Sequence, residues 1–120
     1  VKTFTVDDPV YKTEPLFVGD CTHAELAGYL RRRFHVEIET SEDCEGTVLT
    51  FQQSPWRVLW VRRTTELPTL LHELFHLVTA ICQERQIPIV AHLPNGENGD
   101  EAAAYLFEFF ARECLRRWKR

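Results

Sequence analysis

Two histidines four residues apart with a glutamate beside the first, His72-Glu73-Leu74-Phe75-His76, are the residues of this 120-residue chain best suited to chemistry. On a helix, side chains four apart lie one above the other, so both imidazoles can reach a single cation from one face. Neutral imidazole suits Zn²⁺ at about 2.0–2.1 Å, and a catalytic zinc usually takes three protein ligands plus water. Glu73, one position on, would sit beside that water instead of on the metal. A carboxylate there can take the water proton during attack on a carbonyl and deliver it to the leaving amine.

The elements that must hold this set can be read on either side of it. Pro68 is tolerated only in a first helical turn, so a helix is expected to begin there, run through Leu70, Leu74, Leu77, Val78 and Ile81, and stop before Pro88. Along it Thr69, His72, Glu73, His76 and Gln83 form one polar stripe on an otherwise apolar helix, the pattern of either a solvated face or the lining of a cleft. Earlier, Thr22 and Glu25 have the spacing of a capping box, and Leu26, Tyr29, Leu30 and Phe34 recur at helical intervals, so a first helix ends near Arg33. It follows an extended segment, Pro15 to Gly19. Three strand candidates come next, 35–40, 47–53 and 56–63, in the pattern of an antiparallel meander. In the last, both alternating sets of side chains are apolar, so one face packs on a helix. After a loop with Pro94, Gly96 and Gly99, a final helix starts near Asp100 and runs through Leu106, Phe107, Phe110 and Leu115. Helix, three strands and two helices make one α+β domain spanning residues 1–120.

The HELFH helix after a strand region, followed 25 residues beyond His76 by a helix opening Asp100-Glu101-Ala102-Ala103-Ala104-Tyr105, resembles the gluzincin branch of the zincin metallopeptidases in minimal form. It is also similar to small virus-encoded zincin-like proteins. The resemblance implies a zincin-like fold, Zn²⁺ as cofactor, a peptide or protein substrate, and Glu101 as third metal ligand beside His72 and His76. His92 is the alternative ligand, although its spacing does not fit HExxHxxGxxH and it falls in a loop. Glu101 also has a structural reading, as third residue of a cap begun by Asn98. Tyr105 is a candidate donor to a developing oxyanion, or an ordinary tyrosine at the edge of a core. Glu108 reads as a solvated charge or a partner for Arg112. In zincin folds an edge strand holds extended peptide by strand addition, a role open to segment 56–63 if it lies at an edge. Some gluzincins carry an acid where this chain has Tyr105, and no long region forming a substrate lobe is expected after the last helix. These departures define a second reading, a zinc-containing binding or regulatory protein without turnover.

Composition narrows the remaining classes. With 44% hydrophobic and 27% charged residues the chain has the balance of a globular domain. No apolar stretch reaches the roughly 18–20 residues of a membrane span, and the opening VKTFTVDDPV lacks a signal-peptide core, so no membrane partner and a cytoplasmic location are expected. The net charge of −4 weighs against nucleic acid, despite basic runs at Arg31–Arg33 and from Arg112 to Arg120. Cys21, Cys44, Cys82 and Cys114 form no CxxC pair and read as free thiols. Oligomeric state is not legible.

Overall fold

The computed structural model describes residues 1–39, 43–51, 55–97 and 99–119. In chain order the elements are β1 (Lys2–Thr5), β2 (Leu16–Gly19), α1 (His23–Phe34), β3 (Gly46–Thr50), β4 (Arg57–Val61), α2 (Leu67–Arg85) and α3 (Glu101–Trp118). Alternation along β2 and β4 decides how they assemble. Leu16, Val18, Val58 and Trp60 belong to one apolar cluster, and Phe17, Leu59 and Val61 to another. Successive strand residues point to opposite faces, so these two strands are apolar on both sides and need cover on both. α1 covers the first face with Leu26 and Leu30, while α2 and α3 cover the second with Leu70, Leu74, Leu77, Ile81, Leu106 and Phe110. The Trp60 indole N–H, buried under α1, is satisfied by donating to the Cys21 carbonyl at 3.1 Å.

The sheet has four strands in the order β1-β2-β4-β3, where three in an antiparallel meander were expected. β3 and β4 pair antiparallel as expected, but the central pairing, β2 with β4, is parallel. The extended segment before α1 is therefore a full strand, and β1 adds to it antiparallel. The expected strand at 35–40 does not form over its described residues. Residues 34, 36 and 38 are half-buried while 35, 37 and 39 are exposed, so the period of two is real, and Phe34 and Ile38 pack on the α1-side cluster. Their backbone joins no ladder. Instead His35 closes α1 in the left-handed conformation, and Glu37 turns back to accept two hydrogen bonds from Arg31 at 2.8 and 3.2 Å. The expected ends at Thr40, Gln52 and Gln53 lie outside the described residues. Segment 56–63 forms β4, which is central and not an edge; the edges are β1 and β3.

α1 starts where expected: the Glu25 N–H donates to Thr22 Oγ1 at 3.2 Å and the Thr22 N–H to Glu25 Oε1 at 3.1 Å. Much of the basic surface is engaged within the chain. Arg112 pairs with Glu108, Arg116 with Glu113, and Arg117 donates to the Thr5 carbonyl at 2.8 Å. All four cysteines are free thiols, three of them buried, and burial pushes the Cys114 thiol far up. Among the described residues no helix is long and apolar enough to cross a membrane.

The loop leading from β4 to α2 is tied to the end of β2 by Asp20, whose carboxylate accepts from the Thr64 N–H at 3.1 Å and its hydroxyl at 3.0 Å. The Thr64 backbone bond, opposed by partial burial and helped by the Thr64 hydroxyl and Lys2, holds the Asp20 carboxyl below its ordinary range. A carboxyl depressed by folding adds stability above its unfolded pKa and loses it as pH falls through the folded one. Asp20→Asn is therefore expected to cost about 0.5–1 kcal/mol near neutral pH, reduced from a fully buried contact by solvent screening. The deficit should shrink as pH falls through the depressed folded value. Parallel urea titrations at pH 7 and at successively lower pH check this, and a deficit that does not fall with pH would assign the effect to something other than the charge.

Candidate metal and catalytic site

α2 positions the site because its sequence leaves few other options. Pro68 occupies the first turn, where no N–H is needed, and the apolar positions from Leu70 to Ile81 fall on one buried face. The helix ends at Gln86, left-handed at φ 56°, with the Ile87 N–H donating to the Cys82 carbonyl at 2.8 Å. Arg57, buried in β4, pairs with Glu84 and fastens the same end to the sheet. The helix is thus fixed along its apolar face and at its last turn, and His72 and His76 project from the exposed side.

The two imidazoles stand together. Their Nε2 atoms are 3.2 Å apart and their ring centroids 4.8 Å apart at 77°. Two nitrogens each about 2.0–2.1 Å from a tetrahedral zinc must themselves lie about 3.3 Å apart, so the pair already has the bite of a shared metal. Without a metal the same separation suits one imidazole donating to the other. The donor set and its spacing therefore fit zinc at two of the expected positions.

Glu73 differs from the rest of its stripe. His72, His76 and Gln83 are exposed, whereas Glu73 is 6% exposed and its Oε1 lies 3.7 Å from His72 Nε2. Burial pushes its carboxyl above the ordinary range, against the opposing pull of His72 and His76. The stripe is thus neither wholly solvated nor wholly enclosed: one acid is sunk beside two open imidazoles. It is sunk against β3. Glu45, Gly46, Pro68, Thr69, His72 and Glu73 line a shallow recess of about 380 Å³ between that edge strand and the start of α2.

Gly46 makes this approach possible. A Cβ there would stand 2.9 Å from Glu73 Cγ, 3.0 Å from the Trp60 carbonyl oxygen and 3.1 Å from Thr69 Cγ2. With backbone on one side and helix on the other, the neighbours have little room to yield. Gly46→Ala is expected to cost about 1–3 kcal/mol, the usual scale for overpacking. Thermal unfolding measures it, and a variant as stable as the parent would show that the strand moves aside freely. Gly46 reads in sequence as the end of a turn-like segment from Ser41, whereas a lone glycine at a strand also signals close backbone approach.

The remaining candidates are more dispersed. Among the described residues no group of three His, Cys, Asp or Glu side chains is gathered so as to hold a metal. Glu101 is the first residue of α3 and exposed, after Asp100 as N-cap. It is not the third residue of a cap, and Asn98 lies outside the described residues. His92 is exposed in the loop between α2 and α3. Tyr105 is 37% exposed, with its ring stacked on Phe109 at 6.0 Å and tilted against Tyr11 at 6.4 Å. The structure therefore brings together His72, Glu73 and His76 and does not gather Glu101 or His92 with them. No family model, curated protein or solved structure matches the chain.

Proposed function

We propose that the protein is a zinc-dependent peptidase or related amide hydrolase of minimal zincin type. The observation that carries this reading is the pair of imidazole nitrogens 3.2 Å apart beside a buried glutamate. Zinc, when bound, supplies a Lewis acid that polarises a carbonyl and makes water more acidic. His72 and His76 would hold it, and Glu101, which stands apart from them, would have to close on the pair to act as third ligand in preference to His92. Glu73 is the general base: its carboxyl lies beside His72, accepts a proton from water entering the recess and returns it to the leaving amine. Tyr105, one turn along α3 from Glu101, is the candidate donor to the oxyanion. β3 is the edge strand beside this recess, so an extended peptide could pair along it and lie across Glu73.

The second reading keeps the metal and drops the turnover, as a zinc-containing binding or regulatory protein. It is favoured by Tyr105, whose ring packs between Tyr11 and Phe109 where some gluzincins carry an orienting acid. Metal analysis of purified protein, beside a peptide-library cleavage screen with and without chelator, separates the two. About one zinc per chain with chelator-sensitive cleavage is the expected result. Zinc with no cleavage of any peptide would leave only the binding protein, and protein that takes up no zinc would end both.

A further inference from the structure

Next to the imidazole pair, on the side away from β3, α2 and α3 leave a groove beside the core they share. Phe75, Val78, Ile89, Ala103, Ala104 and Phe107 wall an apolar groove of about 470 Å³, with Thr79 and Asp100 as its polar members. This lies within the roughly 300–1,000 Å³ of ligand sites and exceeds what one side chain fills. Ala103 and Ala104 open it, because larger residues there would occupy the space. The groove lies beside the proposed site: Phe75 stands between the two histidines in sequence, and its ring is 6.4 Å from that of His76. Phe75 is 61% exposed and Ile89 48%, large apolar side chains left facing solvent.

The groove also has a charge sign. From Ile87 to Phe109, the stretch that supplies its far wall, the chain carries Glu97, Asp100, Glu101 and Glu108 and no Lys or Arg. Of these only Asp100 lines the groove; Glu97 is also exposed, Glu108 is paired with Arg112, and Glu101 is the proposed metal ligand. A cationic residue beside an apolar anchor would meet attraction there, and an acidic one repulsion.

We infer that this groove recognises a peptide segment in which large apolar side chains are flanked by lysine or arginine, the anchor lying between α2 and α3 and the cations beside Asp100. This rests on the peptide reading of the site and names the class of peptide it takes. The test uses the full-length Glu73→Gln chain loaded with zinc, so that peptides are not consumed. Three fluorescein-labelled peptides are compared by anisotropy: a Leu-Phe core between lysine pairs, the same core between glutamate pairs, and Ala-Ala between lysine pairs. The first is expected to bind at least tenfold tighter than either of the others. Ala104→Phe, which fills the groove, should cost at least tenfold of that affinity. Phe75→Ala, at a position already exposed, should lower it severalfold and serves if the first variant does not fold. Asp100→Asn should narrow the gap between lysine and glutamate peptides. Equal binding of the Ala-Ala peptide would reduce the effect to bulk charge attraction and overturn the inference, as would binding indifferent to both groove variants. Chelator-sensitive cleavage without this selectivity would overturn the groove and leave the enzyme. Selective binding by a chain that takes up no zinc would do the reverse.

Discussion

Zinc uptake is expected to vanish when His72 and His76 are both replaced by Ala, with the fold unchanged. The imidazoles are exposed and lie opposite the apolar face of α2, and such surface replacements usually shift stability within about 0.5 kcal/mol. Removing two ligands from one metal should lower affinity by orders of magnitude, because little of the donor set remains. Titrating zinc into the parent and the double variant, with circular dichroism as control, reads both quantities. Stoichiometric zinc in the double variant would remove the basis for this site. In the same titration Glu101→Ala should weaken binding by orders of magnitude and His92→Ala should not. The reverse pattern would keep the HExxH helix as a metal site and discard the gluzincin ligand set.

Glu73→Gln should retain zinc and abolish hydrolysis, with activity falling at least about 100-fold, the lower scale for loss of a general base. The amide keeps the shape that fits beneath Gly46 but cannot take a proton at neutral pH. Stability should hold or rise, since a carboxylate buried at 6% exposure is replaced by a neutral group. That sets it apart from Gly46→Ala, where stability itself should fall. A Glu73→Gln protein cleaving at the parent rate would assign the base elsewhere.

What could be read beforehand depended on whether the signal was local. The Thr22–Glu25 cap, Pro68 and the apolar face of α2 each act within one or two turns, and those elements appear within a residue or two of their expected bounds. The buried double alternation of β4 was also legible, because it records two packed faces wherever the covering helices come from. Pairing was not. Val36 and Ile38 alternate like a strand, yet only a partner backbone makes one, and the positions beside β4 are taken by β2 and β3. β1 is four residues long with only Phe4 half-buried, so it left little pattern to find. At the site, the imidazole pair followed from helical spacing. The burial of Glu73 did not, since it depends on how closely an edge strand approaches at Gly46.

The parallel pairing at the centre of the sheet has a consequence for the order of assembly. Register Leu16 to Val58 must close a long intervening chain before it gains a ladder, whereas β3, β4 and α2 are neighbours in sequence. Both imidazoles, the buried glutamate and the glycine behind it belong to that local stretch. β1 and the last turn of α3 lie at opposite ends of the chain and meet through Phe4 and Trp118, 5.0 Å between ring centroids. Partial opening is therefore expected to begin by parting the termini and to reach α2 late. Amide exchange under native conditions should show Lys2–Thr5 releasing protons well before Leu74–Val78, so that fluctuations which loosen the protein leave its histidines in place.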